Sequence, residues 1–132
     1  MTNAMNTPQF LLLLLVFQIT PLVAQRRIID IETWKMGYVN ASGDSIIQTE
    51  YDFLPRKFEP KMVARKGKWR GVIDSAGKVV VPFQYATIKP EKHGFYAVAK
   101  DFGNKPKQYE TVTWVYGLLD SMGRTVIPLT AQ

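Results

Sequence analysis

The chain has 132 residues, 46% hydrophobic and 12% aromatic, which fits one small folded domain or a short array of repeats and is far from a disordered composition. Its 17 Lys and Arg outnumber 11 Asp and Glu, leaving a formal charge of +6. Cysteine is absent and His93 is the single histidine, so a disulfide framework, a thiolate or multi-histidine metal site and a cysteine nucleophile are excluded.

Residues 1–24 contain no Lys, Arg, Asp or Glu, and Phe10 to Phe17 is an unbroken apolar run. The run is shorter than the roughly 20 apolar residues that cross a bilayer. Pro21 would break a helix near its end. Leu22-Val23-Ala24 then offers a small residue at a cleavage position. These features predict a secretory signal peptide, cut near Ala24 before Gln25, and an exported protein, periplasmic or extracellular. A buried core segment or an uncleaved anchor are the competing readings. The expected mature part, residues 25–132, carries every charged side chain and no transmembrane span.

That part repeats itself. Gly37-Tyr38-Val39-Asn40-Ala41-Ser42-Gly43-Asp44 aligns with Gly71-Val72-Ile73-Asp74-Ser75-Ala76-Gly77-Lys78 and with Gly117-Leu118-Leu119-Asp120-Ser121-Met122-Gly123-Arg124. Each copy is preceded by a tryptophan (Trp34, Trp69, Trp114) and followed by an apolar run (Ile46-Ile47, Val79-Val80-Val81, Val126-Ile127). Copies two and three add Pro82 and Pro128, and Tyr51 and Tyr85 follow the first two runs. Gly37 and Gly71 are 34 residues apart, Gly71 and Gly117 are 46 apart, and the excess points to an insertion around residues 102–111, a loop-like stretch. Repeats of this length cannot bury a face alone and must stack.

Val, Ile and aromatic residues bounded by turn residues predict strands. Asp-Ser-x-Gly reads as a tight hairpin, with the aspartate bonding turn amides and the glycine free to take positive φ. Pro82 and Pro128 are placed at strand ends, where no ladder donor is needed. No segment of the mature part shows helical periodicity with caps. The prediction is a mostly-β protein of about eight strands: three tandem β-hairpin units, over approximately residues 28–55, 56–90 and 91–132, stacked as a short antiparallel array.

Lys68-Trp69-Arg70-Gly71-Val72-Ile73-Asp74-Ser75-Ala76-Gly77-Lys78-Val79-Val80-Val81-Pro82 resembles the WG, or KWG, repeat family of bacterial proteins, and Tyr51 and Tyr85 fit the tyrosine that follows the proline there. The repeat-defining residues are Trp34, Gly37, Asn40 and Gly43, then Trp69, Gly71, Asp74 and Gly77, then Trp114, Gly117, Asp120 and Gly123. The family usually sets Trp next to Gly. Here one residue separates Trp69 from Gly71 and two separate the other pairs, so β-bulges are expected near at least two of the tryptophans. The resemblance implies a repeat-built β surface, often exported, and transfers no catalytic residue.

The residues themselves likewise offer no catalytic residue, cofactor or metal site. Asp74 and Asp120 share a position with Asn40, which a proton-transferring site would not tolerate and a turn cap would. His93 lies in a polar connector, and Ser75 and Ser121 lie in turns without a nucleophile elbow. The tryptophans suit core or inter-repeat packing better than a carbohydrate platform. The strongest remaining feature is a basic run of Arg56, Lys57, Lys61, Arg65, Lys66, Lys68 and Arg70 against Glu59 alone. It marks a candidate surface for an anionic envelope component, or else a solvated edge that resists strand pairing. Nucleic acid is disfavoured by the export signal. The expected function is a non-catalytic binding or scaffolding module at the cell envelope, with an unknown protein or an anionic component as partner. A purely structural or protein-interaction repeat is the alternative, and an uncharacterised envelope enzyme the more remote one.

Overall fold

The computed structural model describes residues 25–101 and 114–131, without the side chains of Asp101, Trp114 and Ala131. The expected signal peptide and the expected loop-like insertion around residues 102–111 lie outside the described residues. Among the described residues, ten strands form three antiparallel sheets. The first holds β1 (Arg26–Ile29), β2 (Met36–Val39) and β3 (Ser45–Tyr51). The second holds β4 (Lys61–Lys66), β5 (Trp69–Asp74) and β6 (Val79–Tyr85). The third holds β7 (Thr87–Pro90), β8 (Tyr96–Asp101), β9 (Trp114–Leu119) and β10 (Thr125–Ala131), and a short 3-10 turn at Lys92–Gly94 joins β7 to β8. The mostly-β array of three repeated units is what the sequence predicts. The surplus over eight strands includes β7, which exists because the link between units itself pairs with β8.

The three sheets share one register. Gly37, Gly71 and Gly117 stand opposite Ile28, Ala64 and Val98 in ladders without irregularity. The return strands β3, β6 and β10 are bulged. Met36 faces Tyr51 but Tyr38 already faces Ile47, and Arg70 faces Tyr85 while Val72 faces Val81. The bulges therefore lie opposite the glycines rather than at the tryptophans, which corrects the expectation from spacing. Pro82 and Pro128 are inside β6 and β10, not at strand ends. A residue without an N–H is tolerated there because both strands are edges and the ladder is already broken. The bulge also throws a carbonyl across the glycine. A Cβ on Gly71 would stand 2.6 Å from the Val81 oxygen and one on Gly117 2.9 Å from the Ile127 oxygen, and Gly37 meets Ile47 the same way. Only glycine admits this approach.

The turns are equally uniform. Oδ1 of Asn40 accepts from the amides of Ser42 (3.0 Å) and Asp44 (2.9 Å). Oδ1 of Asp74 accepts from Ala76 and Lys78, and Oδ1 of Asp120 from Met122 and Arg124, all at 2.9 Å. An amide oxygen does this work as well as a carboxylate oxygen, which explains the Asn/Asp exchange.

After Tyr51 the chain leaves the first sheet and bonds along the edge of the second, with Asp52 N donating to Arg65 O at 2.9 Å and Arg65 N to Phe53 O at 3.1 Å. After Tyr85 it does the same onto β8, with Ala86 N donating to Ala99 O at 2.9 Å. Each link thus ends one unit and edges the next. Between units lie two apolar clusters. The first is Tyr38, Ile47, Tyr51, Leu54, Met62, Ala64 and Ile73. The second is Val72, Val81, Tyr85, Ile88, Tyr96, Val98 and Leu119. Every member of the second is the repeat equivalent of a member of the first. The rear face of one unit (Tyr38, Ile47, Tyr51) is covered by the link and front face of the next (Leu54, Met62, Ala64, Ile73). Burying a side chain of this size contributes roughly 1.5–3 kcal/mol, so the two interfaces are the main stabilising element.

Candidate functional site

The tips of the β1–β2 and β4–β5 hairpins lie on one end of the stack, opposite the Asn/Asp turns. The tip of the first unit is the turn Asp30–Lys35, closed by Trp34 N donating to Asp30 O at 2.7 Å. Trp34 sits there at φ 61° with 72% of its surface exposed. A bulky aromatic residue in the left-handed region is rarely seen. Trp69 opens β5 half-buried, with Lys68 Nζ 4.7 Å from its ring centroid. Trp114 opens β9, and its side chain lies outside the described residues. Counted from the glycines, Trp34 matches Lys68, not Trp69. Trp34 lies in the turn and on the surface, so the expected packing role does not apply to it. Tyrosines and aliphatic residues fill the inter-repeat core instead.

The basic run divides. Lys61, Arg65 and Arg70 share the face of the second sheet that looks toward the third unit, and Lys66 shares the opposite face with Met62 and Ala64. Lys61 Nζ donates to the Ser121 carbonyl, and Arg70 Nη1 to Ala86 O at 2.6 Å, so both tie the second unit to its C-terminal neighbour. Arg65 Nη1 donates to Gly67 O at 2.6 Å within its own tip. Arg56 and Lys57 are exposed in the first link, where Lys57 Nζ is 3.4 Å from Glu59. What remains together is the tip of the central hairpin: Arg65, Lys66, Lys68 and Arg70, with Lys35 on one side and Lys100 on the other.

Lysines at the tip pair with tyrosines in a repeated way. Lys66 Nζ lies 4.8 Å from the Tyr51 ring centroid, and its equivalent Lys100 lies 5.3 Å from that of Tyr85. Contacts of this kind are worth about 0.5–1 kcal/mol at exposed sites. Two carboxylates reach the tip from β3 and the first link. Glu50 is 3.6 Å from Lys66 Nζ. Asp52 takes Lys35 Nζ at 2.6 Å and Gly67 N at 2.5 Å, joining the tips of the first and second units. The hydrogen bond from Lys35, then that from Gly67, hold the Asp52 carboxyl below its ordinary pKa. Asp30 and Glu32 belong to the first tip, where Asp30 Oδ1 caps its own turn by accepting from Glu32 N at 2.8 Å. Lys35 and Asp52 are participants that charge counting along the chain misses, whereas Lys100 is in that count and its 34-residue spacing from Lys66 is there to be read.

Asn40, Asp74 and Asp120 are engaged in their turns, and His93 is exposed at φ 61° in the 3-10 turn. A cleft of 460 Å³ opens between the first link, β4 and β7, walled by Phe53, Met62, Val63, Ile88 and Tyr96. It is mainly apolar, and one of its two charged side chains, Lys61, is the one already bonded to Ser121. Among the described residues no three metal-ligating side chains converge, and no helix is long and apolar enough to cross a membrane.

The fold is that of a repeat protein built from stacked antiparallel meanders. Two segments, residues 36–59 and 71–104, match the family model described as WG containing repeat, so the chain carries WG repeats. The third unit continues the array beyond those matches by register and turn chemistry. No curated protein and no solved structure matches the chain.

Proposed function

We propose that this protein is a non-catalytic binding module of the cell envelope that holds an anionic ligand at the tip of its central hairpin. The observation that carries the reading is the concentration of Arg65, Lys66, Lys68 and Arg70 on one tip, beside exposed Trp34 and half-buried Trp69. Cations supply attraction and aromatic faces supply stacking area, a combination suited to a carboxylated glycan or an anionic lipid surface. The repeated turn carboxylates are occupied in hydrogen bonds, which favours binding over proton transfer. The apolar leader at residues 10–17 is the ground for placing the protein at the envelope.

The test is titration of the protein with polygalacturonate, and separately with vesicles containing phosphatidylglycerol, at rising ionic strength. Binding should weaken steeply as salt shortens the Debye length to about 10 Å near 0.1 M and below that at higher salt. Lys68→Glu should weaken it several-fold more, and Trp34→Ala should lower affinity for the glycan without altering thermal unfolding. Absence of binding to both probes, salt-independent binding, or indifference to Lys68→Glu would reject the reading.

A further inference from the structure

The two junctions between units are built alike, but their mouths at the tip end differ in charge. At the first, Met36 stands opposite Tyr51 and Lys66 Nζ lies 4.8 Å from the Tyr51 ring centroid. Glu50 and Asp52 flank that tyrosine in the chain, and both carboxylates are engaged. Glu50 stands 3.6 Å from Lys66 Nζ, and Asp52 takes Lys35 Nζ at 2.6 Å. Each lysine of this mouth thus has a carboxylate of the same chain beside it.

The second junction repeats the geometry with different residues. Arg70 stands opposite Tyr85, where the first junction has Met36. Lys100 Nζ lies 5.3 Å from the Tyr85 ring centroid, as Lys66 does over Tyr51. The chain neighbours of Tyr85 are Gln84 and Ala86, in the places of Glu50 and Asp52, and Trp69 takes the place of Lys35. Arg70 and Lys100 therefore approach one tyrosine from facing units, and among the described side chains no carboxylate occupies the equivalent positions. Asp101 is next along β8, and its side chain lies outside the described residues. Arg70 Nη1 is anchored on the Ala86 carbonyl at 2.6 Å, and a guanidinium carries more donors than that bond uses. Gln84 is exposed, with its Nε2 at 3.2 Å from the Tyr85 hydroxyl, so its amide stands at the mouth. Two like charges around one ring repel, and an anion between them relieves that repulsion.

We infer that the second junction binds the carboxylate of a uronate sugar, in the place that Glu50 and Asp52 fill at the first. The first junction shows which group the geometry accepts. Arg70 offers the planar donor fork that matches a carboxylate, Lys100 supplies the second charge from the third unit, and Gln84 supplies an amide for a sugar hydroxyl. The inference rests on the anion-binding reading and narrows it. The ligand is a carboxylated glycan rather than a lipid phosphate, and its charged group sits between the second and third units rather than between the first and second.

Calorimetric titration of the full chain with trigalacturonate tests this. The expected result is one oligomer bound per chain, several-fold more weakly in Lys100→Gln. The pair Gln84→Glu with Ala86→Asp writes the carboxylates of the first junction into the second, and should lower affinity about tenfold or more. It should leave thermal unfolding close to unchanged, since the first unit already carries these residues at the same positions. Ser42→Asp with Ser75→Asp makes the same change of charge in turns at the opposite end of the stack and should keep the original affinity. Binding that responds to Lys68→Glu but not to Gln84→Glu with Ala86→Asp would overturn this inference and leave the anion-binding reading standing. Absence of binding to trigalacturonate, polygalacturonate and phosphatidylglycerol vesicles alike would overturn both. Tighter binding of oligoglutamate or of the vesicles than of trigalacturonate would overturn the assignment to a glycan.

Discussion

Tyr51 and Tyr85 occupy the same place in the two successive inter-unit clusters, each closing a rear face and each with a lysine over its ring. The molecule is held by one interface used twice, so paired substitutions should report on each copy separately. Tyr51→Ala and Tyr85→Ala should each cost about 3–5 kcal/mol by analogy with other large-to-small aromatic changes in cores. Urea denaturation of the singles and the double checks this, and near-additivity is expected if the two clusters are independent.

The glycines opposite the bulges admit no side chain. Gly71→Ala brings a Cβ to 2.6 Å from the Val81 carbonyl oxygen, a backbone atom that cannot step aside without disturbing the ladder. The expected loss is about 1–3 kcal/mol, the usual cost of forced overpacking. A chemical denaturation midpoint lowered with unchanged slope would show it.

The repeated turn carboxylate should prove replaceable by its own repeat equivalent. Asp74→Asn keeps an oxygen for the Ala76 and Lys78 amides, as Asn40 does in the first unit, and should be close to neutral. Asp74→Ala removes both bonds and should cost about 1–2 kcal/mol. Equal losses for the two variants would mean that the charge of Asp74, not its turn geometry, is what matters.

Most of this architecture is legible in the residues. Three copies of the Gly-x-x-Asn/Asp-x-x-Gly pattern locate three units, and the small and β-branched residues between them locate the strands. The face of each cation is not legible, because it depends on the pairing of β4 with β5, which sends Lys61, Arg65 and Arg70 one way and Lys66 the other. Trp34 is misread for a related reason. The expected packing role treats the three tryptophans alike, but Trp34 takes a left-handed turn conformation at the tip of the first unit, and the tyrosines and aliphatic residues fill the core. Bulges are expected from the Trp–Gly spacing, yet nothing in that spacing says that the return strand carries them.

Acid should loosen the junction of the first two tips before it reaches the core. Asp52 has its carboxyl pKa lowered in the folded protein, so its contribution is present above the ordinary carboxylate value and is lost as pH falls through the lower folded one. Asp52→Asn should flatten that part of the acid profile. Hydrogen exchange at the Gly67 amide, which donates to Asp52, gives the local readout.

Base acts on the interfaces themselves. Burial, then the charge of neighbouring Glu50, pushes the Tyr51 hydroxyl up to about 12 from 10.0. A folded value above the unfolded one means that its contribution is complete below pH 10.0 and declines as pH rises through about 12. Tyrosinate absorbance should therefore appear together with unfolding in that interval, and Tyr51→Phe should shift the alkaline midpoint upward.

The links that leave one sheet and edge the next bear on how such a chain can grow. Residues 52–85 run from the neighbour of one interface tyrosine to the next tyrosine, a tract of 34 residues whose two faces fit each other's equivalents. A tandem duplication of the DNA encoding this tract would keep both existing junctions at the outer sides of the doubled unit and add one new junction, Val72, Val81 and Tyr85 against a second Leu54, Met62, Ala64 and Ile73. Length in this architecture is thus open to change by unequal crossing-over, with any repacking confined to the single new junction.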